Sequence, residues 1–430
     1  MGFSSEETLL LECLRAERDP EAHRKFRWMA GRPLDWQRVL RTAVRNHIAA
    51  LIYDRLRTLD GGTVPPGTMR AFEQEYHRVG FRNARNYAEL GQLLRSLKDR
   101  GVEVIVLKGA ALAETVWKNI ALRPMADMDL LVRQDDLIEA ERTLLSNGYA
   151  PDRGVPPPGG SWDQYYHLPP FCKSDPRITV EIHHNIVHPR RVYPLDFDVG
   201  QFWARACVAQ IAGVETHILA PEDTILHLCL HQCKHDPFVG KIKNLMDVAK
   251  VIGFYGECLR WDMILTEARR TGTGKFVYYT LLFAEIALGA RIEPEVGRRL
   301  RTQFALLPFE DSLVRAVITR NLLLRDESAS VLPTWLLVPI SYELLRQGAS
   351  RDRLCSVLKL LFLPPVESPA DSSPRSLSTK AIALFWLGRL GRVSQKFRRR
   401  IVGRLESSSQ RSGVYDTTDP PGGEAPWASR

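Results

Sequence analysis

A chain of 430 residues with 44% hydrophobic and 25% charged residues has the composition of a soluble globular protein, long enough for two or three domains. Its formal charge of +9 admits nucleotides, nucleic acid or an anionic membrane surface as partners and selects none of them. No apolar run approaches membrane-spanning length, and an odd count of seven cysteines without a CxxC pair argues for reduced thiols in a cytoplasm rather than a disulfide framework.

The opening MGFSSEETLLLECLRAERD is acidic and helical, without the basic start and apolar core of a secretory signal. Residues 1–98 read as a helical region. Val39, Leu40, Ala43, Ile48, Leu51 and Ile52 fall at helical spacing and predict a helical run from Leu34 to Leu56. Gly61-Gly62 and Pro65-Pro66 break the chain, and a long helix follows from Thr68 to Lys98. Its Arg82, Arg85, Glu89 and Arg95 are expected to form a solvated face; the alternative is that one or two arginines reach a nucleotide.

An α/β core is expected over 99–220. Val102 to Leu107 is apolar and β-branched, as a buried strand requires. Lys108-Gly109 breaks it and Ala110 to Lys118 has helical composition, so backbone N–H groups at a helix start meet a place where phosphate could sit. Past Arg123-Pro124, a short strand Asp127 to Val132 carries Asp127-Met128-Asp129. Alternation along a strand puts Asp127 and Asp129 on one side and Met128 and Leu130 on the other. Two carboxylates this close repel unless a cation or proton intervenes, and a divalent metal is the simplest answer.

Asp135 to Ser146 reads as a helix capped by Asp135 or Asp136, with Gly148 beyond its end. Pro151 to Gly160 reads as a loop beside the site, followed by an aromatic cluster of Trp162, Tyr165, Tyr166 and His167 that either packs or stacks a base or sugar. In the strand-like run Arg177 to Ile186, Glu181 stands between Val180 and Ile182. Paired beside the Asp strand, it becomes a third carboxylate of one site, and three hard oxygen ligands suit Mg²⁺ or Mn²⁺. Val214 to Leu219 reads as a further strand.

From 221 to 363 the composition is helical. His227, His231 and His235 lie four residues apart and share a helical face, and His183, His184 and His188 add to a His-rich middle. One reading is a zinc site. The other is a helix packed on the core, with His183, His231 and His235 serving the carboxylates or substrate phosphates. Asp247 on the next helix is either a partner to a His or Lys or a surface carboxylate. Helices are expected over Trp261 to Arg270, Lys275 to Leu288, Pro294 to Phe304 and through 308–363. Residues 364–379 form a Pro/Ser linker. Residues 380–404 form a basic amphipathic helix, for an anionic membrane surface, nucleic acid or the protein itself, and 405–430 read as a disordered tail.

Gly109, the Asp-x-Asp of Asp127 and Asp129, and Glu181 on a later strand resemble the DNA polymerase β-type nucleotidyltransferase superfamily. More narrowly, LKGAALAETVW, RPMADMDLLV and the downstream LSNGY resemble the uncharacterised nucleotidyltransferases, over roughly residues 30 to 290. The superfamily usually carries Gly-Ser or Gly-Gly at the turn, whereas this chain has Lys108-Gly109-Ala110 and no hydroxyl there. The fold implied is a polymerase β-like α/β (α+β) core with a mixed sheet, flanked by helical regions.

Together these features imply transfer of an NMP group from an NTP to an acceptor hydroxyl whose identity stays open. Asp127, Asp129 and Glu181 would be metal ligands and catalytic groups, and Lys108, Gly109, Ala110 and Arg123 would meet the nucleotide phosphates. A fold kept only for binding nucleotide or a partner, and a zinc-dependent hydrolase on the His cluster, are the competing readings. The location implied is cytoplasmic, with 380–404 able to hold the chain at the inner face of the membrane.

Overall fold

The computed structural model describes residues 3–15, 19–59, 62–152, 166–174, 177–186, 197–233, 242–304, 307–321 and 323. By contacts the chain divides into two compact units, Met1–Val357 and Leu358–Arg430, and the described residues all belong to the first. The linker, basic helix and tail expected beyond residue 363 therefore lie outside the described residues, as do the 153–165 segment, His188 and His235.

Two N-terminal helices, α1 (Ser5–Arg15) and α2 (Pro20–Ala30), precede the expected run from Leu34 to Leu56. That run is two helices, α3 (Trp36–Arg45) and α4 (Ala49–Leu56). His47 takes a left-handed φ of 58°, and the Ile48 N–H returns to the Ala43 carbonyl at 3.0 Å, which closes one helix before the next begins. The apolar spacing continues across the break because both helices bury the same side of the chain. Asp35 caps α3 by accepting from Arg38 N at 2.9 Å. The long helix α5 (Pro66–Asp99) buries Phe72, Val79, Asn83, Tyr87, Leu90, Leu94 and Leu97 along one stripe. A Cβ on Gly91 would stand 2.8 Å from the Ala212 carbonyl, so glycine at this position lets α5 lie directly on the sheet's terminal hairpin.

Among the described residues the sheet has seven strands: β1 (Ile105–Val106), β2 (Met128–Leu131), β3 (Ala150–Pro151), β4 (Phe171–Ser174), β5 (Arg177–His183), β6 (Cys207–Ile211) and β7 (Val214–Ile218). Their order is β3-β4-β5-β2-β1-β7-β6. The pairs β2–β5 and β1–β7 are parallel and the rest antiparallel, so the sheet is mixed, as expected for the α/β class. The central strand is shorter than its apolar run: Val104 bonds β7 through Thr216 Oγ1 and His217 N, outside the regular ladder. Met128, Leu130, Val180 and Ile182 are fully buried beneath the sheet. Each contributes about 1.5–3 kcal/mol by leaving water.

Helix α6 (Lys108–Thr115) starts at the turn itself, two residues earlier than composition suggests. Helix α7 (Leu137–Ser146) has no carboxylate cap, because a tight 3-10 turn over Gln134–Asp136 leads into it and leaves Asp136 helical rather than extended. After α8 (Val199–Arg205), the described residues form six further α-helices: α9 (Pro221–Cys233), α10 (Ile242–Tyr255), α11 (Trp261–Arg270), α12 (Gly274–Leu288), α13 (Pro294–Phe304) and α14 (Pro308–Asn321). Helix α12 is buried on nearly every side, and α9, α10, α11, α13 and α1 pack around it. No helix among the described residues is long and apolar enough to cross a membrane.

Candidate active site

The parallel pairing of β2 with β5 sets the site. Asp129 stands directly opposite Glu181 in the register, with Leu131 opposite His183. His183 lies two residues beyond Glu181 and so shares its face, while Val180 and Ile182 point into the core. Asp127 sits just before β2 and two residues before Asp129. The expected convergence of Asp129 and Glu181 therefore follows from register and alternation alone. Among the described residues the group able to hold a metal ion is Asp129, Glu181 and His183, whose ligand atoms all lie within 4.8 Å of one another. Asp127 is not one of the three, and acts on the group through its charge.

Two basic side chains share one oxygen of Asp129. Lys108 Nζ donates to Asp129 Oδ1 at 2.8 Å, and His183 Nε2 reaches the same atom at 2.9 Å. His183 Nε2 also lies 3.5 Å from Glu181 Oε2. Both neighbours are acceptors, so Nε2 carries a proton, while the buried Nδ1 has no hydrogen-bond partner among the described residues. Lys108 occupies a left-handed conformation, with φ of 45°, at the start of α6. Such a conformation costs a non-glycine residue about 1 kcal/mol or more, which the buried contact with Asp129 offsets.

The electrostatics separate the carboxylates. The Asp129 carboxylate, followed by burial, pushes Asp127 up to about 6. For Asp129 burial works against ionisation, but the Lys108 charge and the hydrogen bond from His183 outweigh it and hold the carboxyl well below its usual range. Burial also opposes ionisation of Glu181, and the His183 contact overcomes it. His183 is itself raised, its burial being outweighed by hydrogen bonds to Asp129 and Glu181. Asp129 is thus the settled anion, and Asp127 is the carboxyl that keeps a proton closest to neutrality.

Two further histidines approach this face. His167 forms an isolated antiparallel bridge with His183 at the end of β5, with ring centroids 5.1 Å apart, and its Nδ1 donates to the Leu168 carbonyl at 2.6 Å. Burial pushes it down to about 4. His227 on α9 is buried, and burial followed by the Lys108 charge pushes it down to about 3. Both rings are neutral. Tyr166, from the expected aromatic cluster, lies 4.5 Å from the His167 ring, while Trp162 and Tyr165 lie outside the described residues.

The other expected site residues are placed differently. Arg123 is buried and bound to Asp247 of α10 through Nη2–Oδ2 at 2.6 Å and Nε contacts at 3.2 Å. Asp247 also accepts from Trp117 Nε1 at 2.9 Å, so its partners are an arginine and a tryptophan rather than a His or Lys. Gly109 matters for the same pair: a Cβ there would collide with the Arg123 guanidinium. Ala110 is buried, and its carbonyl takes the Tyr87 hydroxyl at 2.5 Å. His231 Nδ1 lies 3.3 Å from the Asn244 amide nitrogen, and His235, the third of the i, i+4 series, is outside the described residues. Lys243, one turn before Asp247 on α10, faces Asp127 electrostatically, and nothing in the sequence marks it apart from its neighbours.

A family model described as uncharacterised nucleotidyltransferase matches residues 32–289, a span holding every element from α3 to α12. The chain belongs to this nucleotidyltransferase family. No curated protein and no solved structure matches it. As a nucleotidyltransferase the chain is a transferase whose substrate is a nucleotide, and its acidic group lies on the central strands of the matched region.

Proposed function

We propose that the protein transfers an NMP group from an NTP to an acceptor hydroxyl, with Asp127, Asp129 and Glu181 holding Mg²⁺ or Mn²⁺. The observation that carries this is the β2–β5 register, which sets Asp129 and Glu181 side by side two residues from Asp127 in a nucleotidyltransferase chain. The donor chemistry fits a hard divalent ion. Three carboxylates lie close together, and the upward shift of Asp127 comes from the Asp129 charge and then burial, which Lys108 and Lys243 do not offset. A bound divalent ion would neutralise charge on the reacting phosphates.

The protein's own groups divide the remaining work. Lys108 fixes the rotamer of Asp129 and keeps it ionised. Asp127 gives up its proton when positive charge arrives. Glu181, held by His183 and partly open to solvent, would help activate the acceptor hydroxyl, either through the metal or as a general base. The acceptor is open, and the cytoplasmic location and an anionic surface for 380–404 rest on the amino-acid sequence.

The test is a double variant. Asp127→Ala with Asp129→Ala strands the buried Lys108 charge, so it should lower the thermal midpoint while keeping one cooperative transition. At a temperature where it is folded it should lose calorimetric Mn²⁺ binding and abolish transfer of label from α-³²P NTPs to any product in cell extract. Wild-type metal-dependent nucleotide binding in that variant would sink the reading. A second reading, binding without turnover, is favoured by the missing turn hydroxyl and by the double claim of Lys108 and His183 on Asp129 Oδ1. It predicts nucleotide binding but no labelled product from the wild type with either metal.

A further inference from the structure

Beside the carboxylates, basic side chains converge without an ion-pair partner among the described residues. Arg82 projects from α5, half-buried, and makes no hydrogen bond or ion pair among the described residues; its Nε is buried with no partner there. Lys243, in the first turn of α10, is half-buried and has a long contact of 3.5 Å to the Pro124 carbonyl, with no carboxylate within ion-pair distance among the described residues. His47, in the left-handed turn between α3 and α4, is exposed at the rim.

One loop brings the first two together. Asn83 of α5 donates to the Ile120 and Arg123 carbonyls at 2.5 and 2.8 Å, which locks the turn of α5 carrying Arg82 onto the 120–124 loop. The same loop receives Lys243 at Pro124 and leads three residues later into Asp127. The charges act on each other. Burial and then the Lys243 and Arg82 charges push His47 down, and burial followed by the Arg123 charge brings Lys243 down to about 8. Half-buried cations that repel one another are costly to keep unless an anion arrives between them. Arg78 and Arg123, the other cations near His47, are already paired with Glu75 and Asp247.

We infer that Arg82 and Lys243, with His47 at the rim, form a polyphosphate-binding site on the Asp127 side of the carboxylate cluster, and that it takes the pyrophosphate end of the nucleotide. This rests on the nucleotidyl-transfer reading for the identity of the ligand. Arg82 supplies a planar fork that suits phosphate oxygens and Lys243 a point charge. Two positive charges, Arg82 and Lys243, beside a group of carboxylates match a polyanion that also carries a divalent ion, better than they match a single carboxylate or phosphate.

The experiment titrates inorganic tripolyphosphate into the full chain with EDTA present, by calorimetry. Arg82→Gln and Lys243→Met should each weaken binding about tenfold or more, with thermal midpoints unchanged or raised, as the loss of a charge-assisted phosphate contact and of a repelling cation implies. Orthophosphate should bind far more weakly than tripolyphosphate. Asp127→Ala with Asp129→Ala should bind tripolyphosphate as tightly as the wild type or tighter, because repulsion is removed. Should the two basic variants, alone and combined, bind like the wild type, or should tripolyphosphate fail to bind the folded wild type, the site is refuted. Equal affinity for ortho- and tripolyphosphate would overturn the pyrophosphate assignment. Tripolyphosphate binding that depends on Arg82 and Lys243 in a protein without transfer would uphold the site and refute the enzyme.

Discussion

Asp129 shows how single residues set the chemistry of this face. Its Oδ1 takes Lys108 and His183 as donors, so the anion is fixed and its charge raises the neighbouring Asp127. His227 responds to the same cluster in the opposite sense, since burial and the Lys108 charge hold it neutral down to about 3. Its ordinary value is about 6.5. Above that pH neither the folded nor the unfolded state binds a proton at His227, and the residue leaves stability unchanged. Between 6.5 and 3 the unfolded chain takes up a proton that the folded chain refuses, so stability falls with falling pH by up to about 1.4 kcal/mol per pH unit. His227→Gln should remove this contribution. Urea unfolding at pH 7.5 and pH 5 should show the wild type losing about 2 kcal/mol more than the variant over that interval. Parallel losses in the two proteins would mean that His227 is protonated in the fold.

Arg123 and Asp247 act as a fastener between elements, joining the loop before β2 to α10 across 124 residues of sequence. A buried pair of this kind is weak evidence for net stability, but breaking it strands a charge and costs about 3–5 kcal/mol. Asp247→Ala should lower the unfolding free energy by that amount. Gly109→Ala drives a methyl into the Arg123 guanidinium and should also destabilise the fold, because the guanidinium cannot yield while Asp247 holds it. Both substitutions act through one side chain, so their effects should not add. In denaturant unfolding, Gly109→Ala should cost clearly less in the Asp247→Ala background than alone. Strict additivity would show that the methyl is accommodated without moving Arg123.

At the scale of the molecule, what could be read from the sequence followed from local periodicity. Alternation along β2 and β5 put Asp129, Glu181 and His183 on one face, and parallel pairing did the rest. The helices over Trp261–Arg270 and Pro294–Phe304 matched their apolar spacing to the residue. Contacts made by packing were out of reach. Nothing local ties Arg123 to Asp247, brings Arg82 and Lys243 to one loop, or splits the run at His47. Sites of this sort need the whole α3–α12 assembly, and the family match at 32–289 and the contact boundary at Val357 both enclose it. A chain ending at Val357 should therefore keep the site intact: the same cooperative thermal transition followed by near-UV circular dichroism, and nucleotide affinity within about twofold of the full chain, a difference of roughly 0.4 kcal/mol. A fragment that melts early, or that folds but loses nucleotide, would mean that residues 358–430 contribute to the site and that the catalytic unit extends past the boundary at Val357.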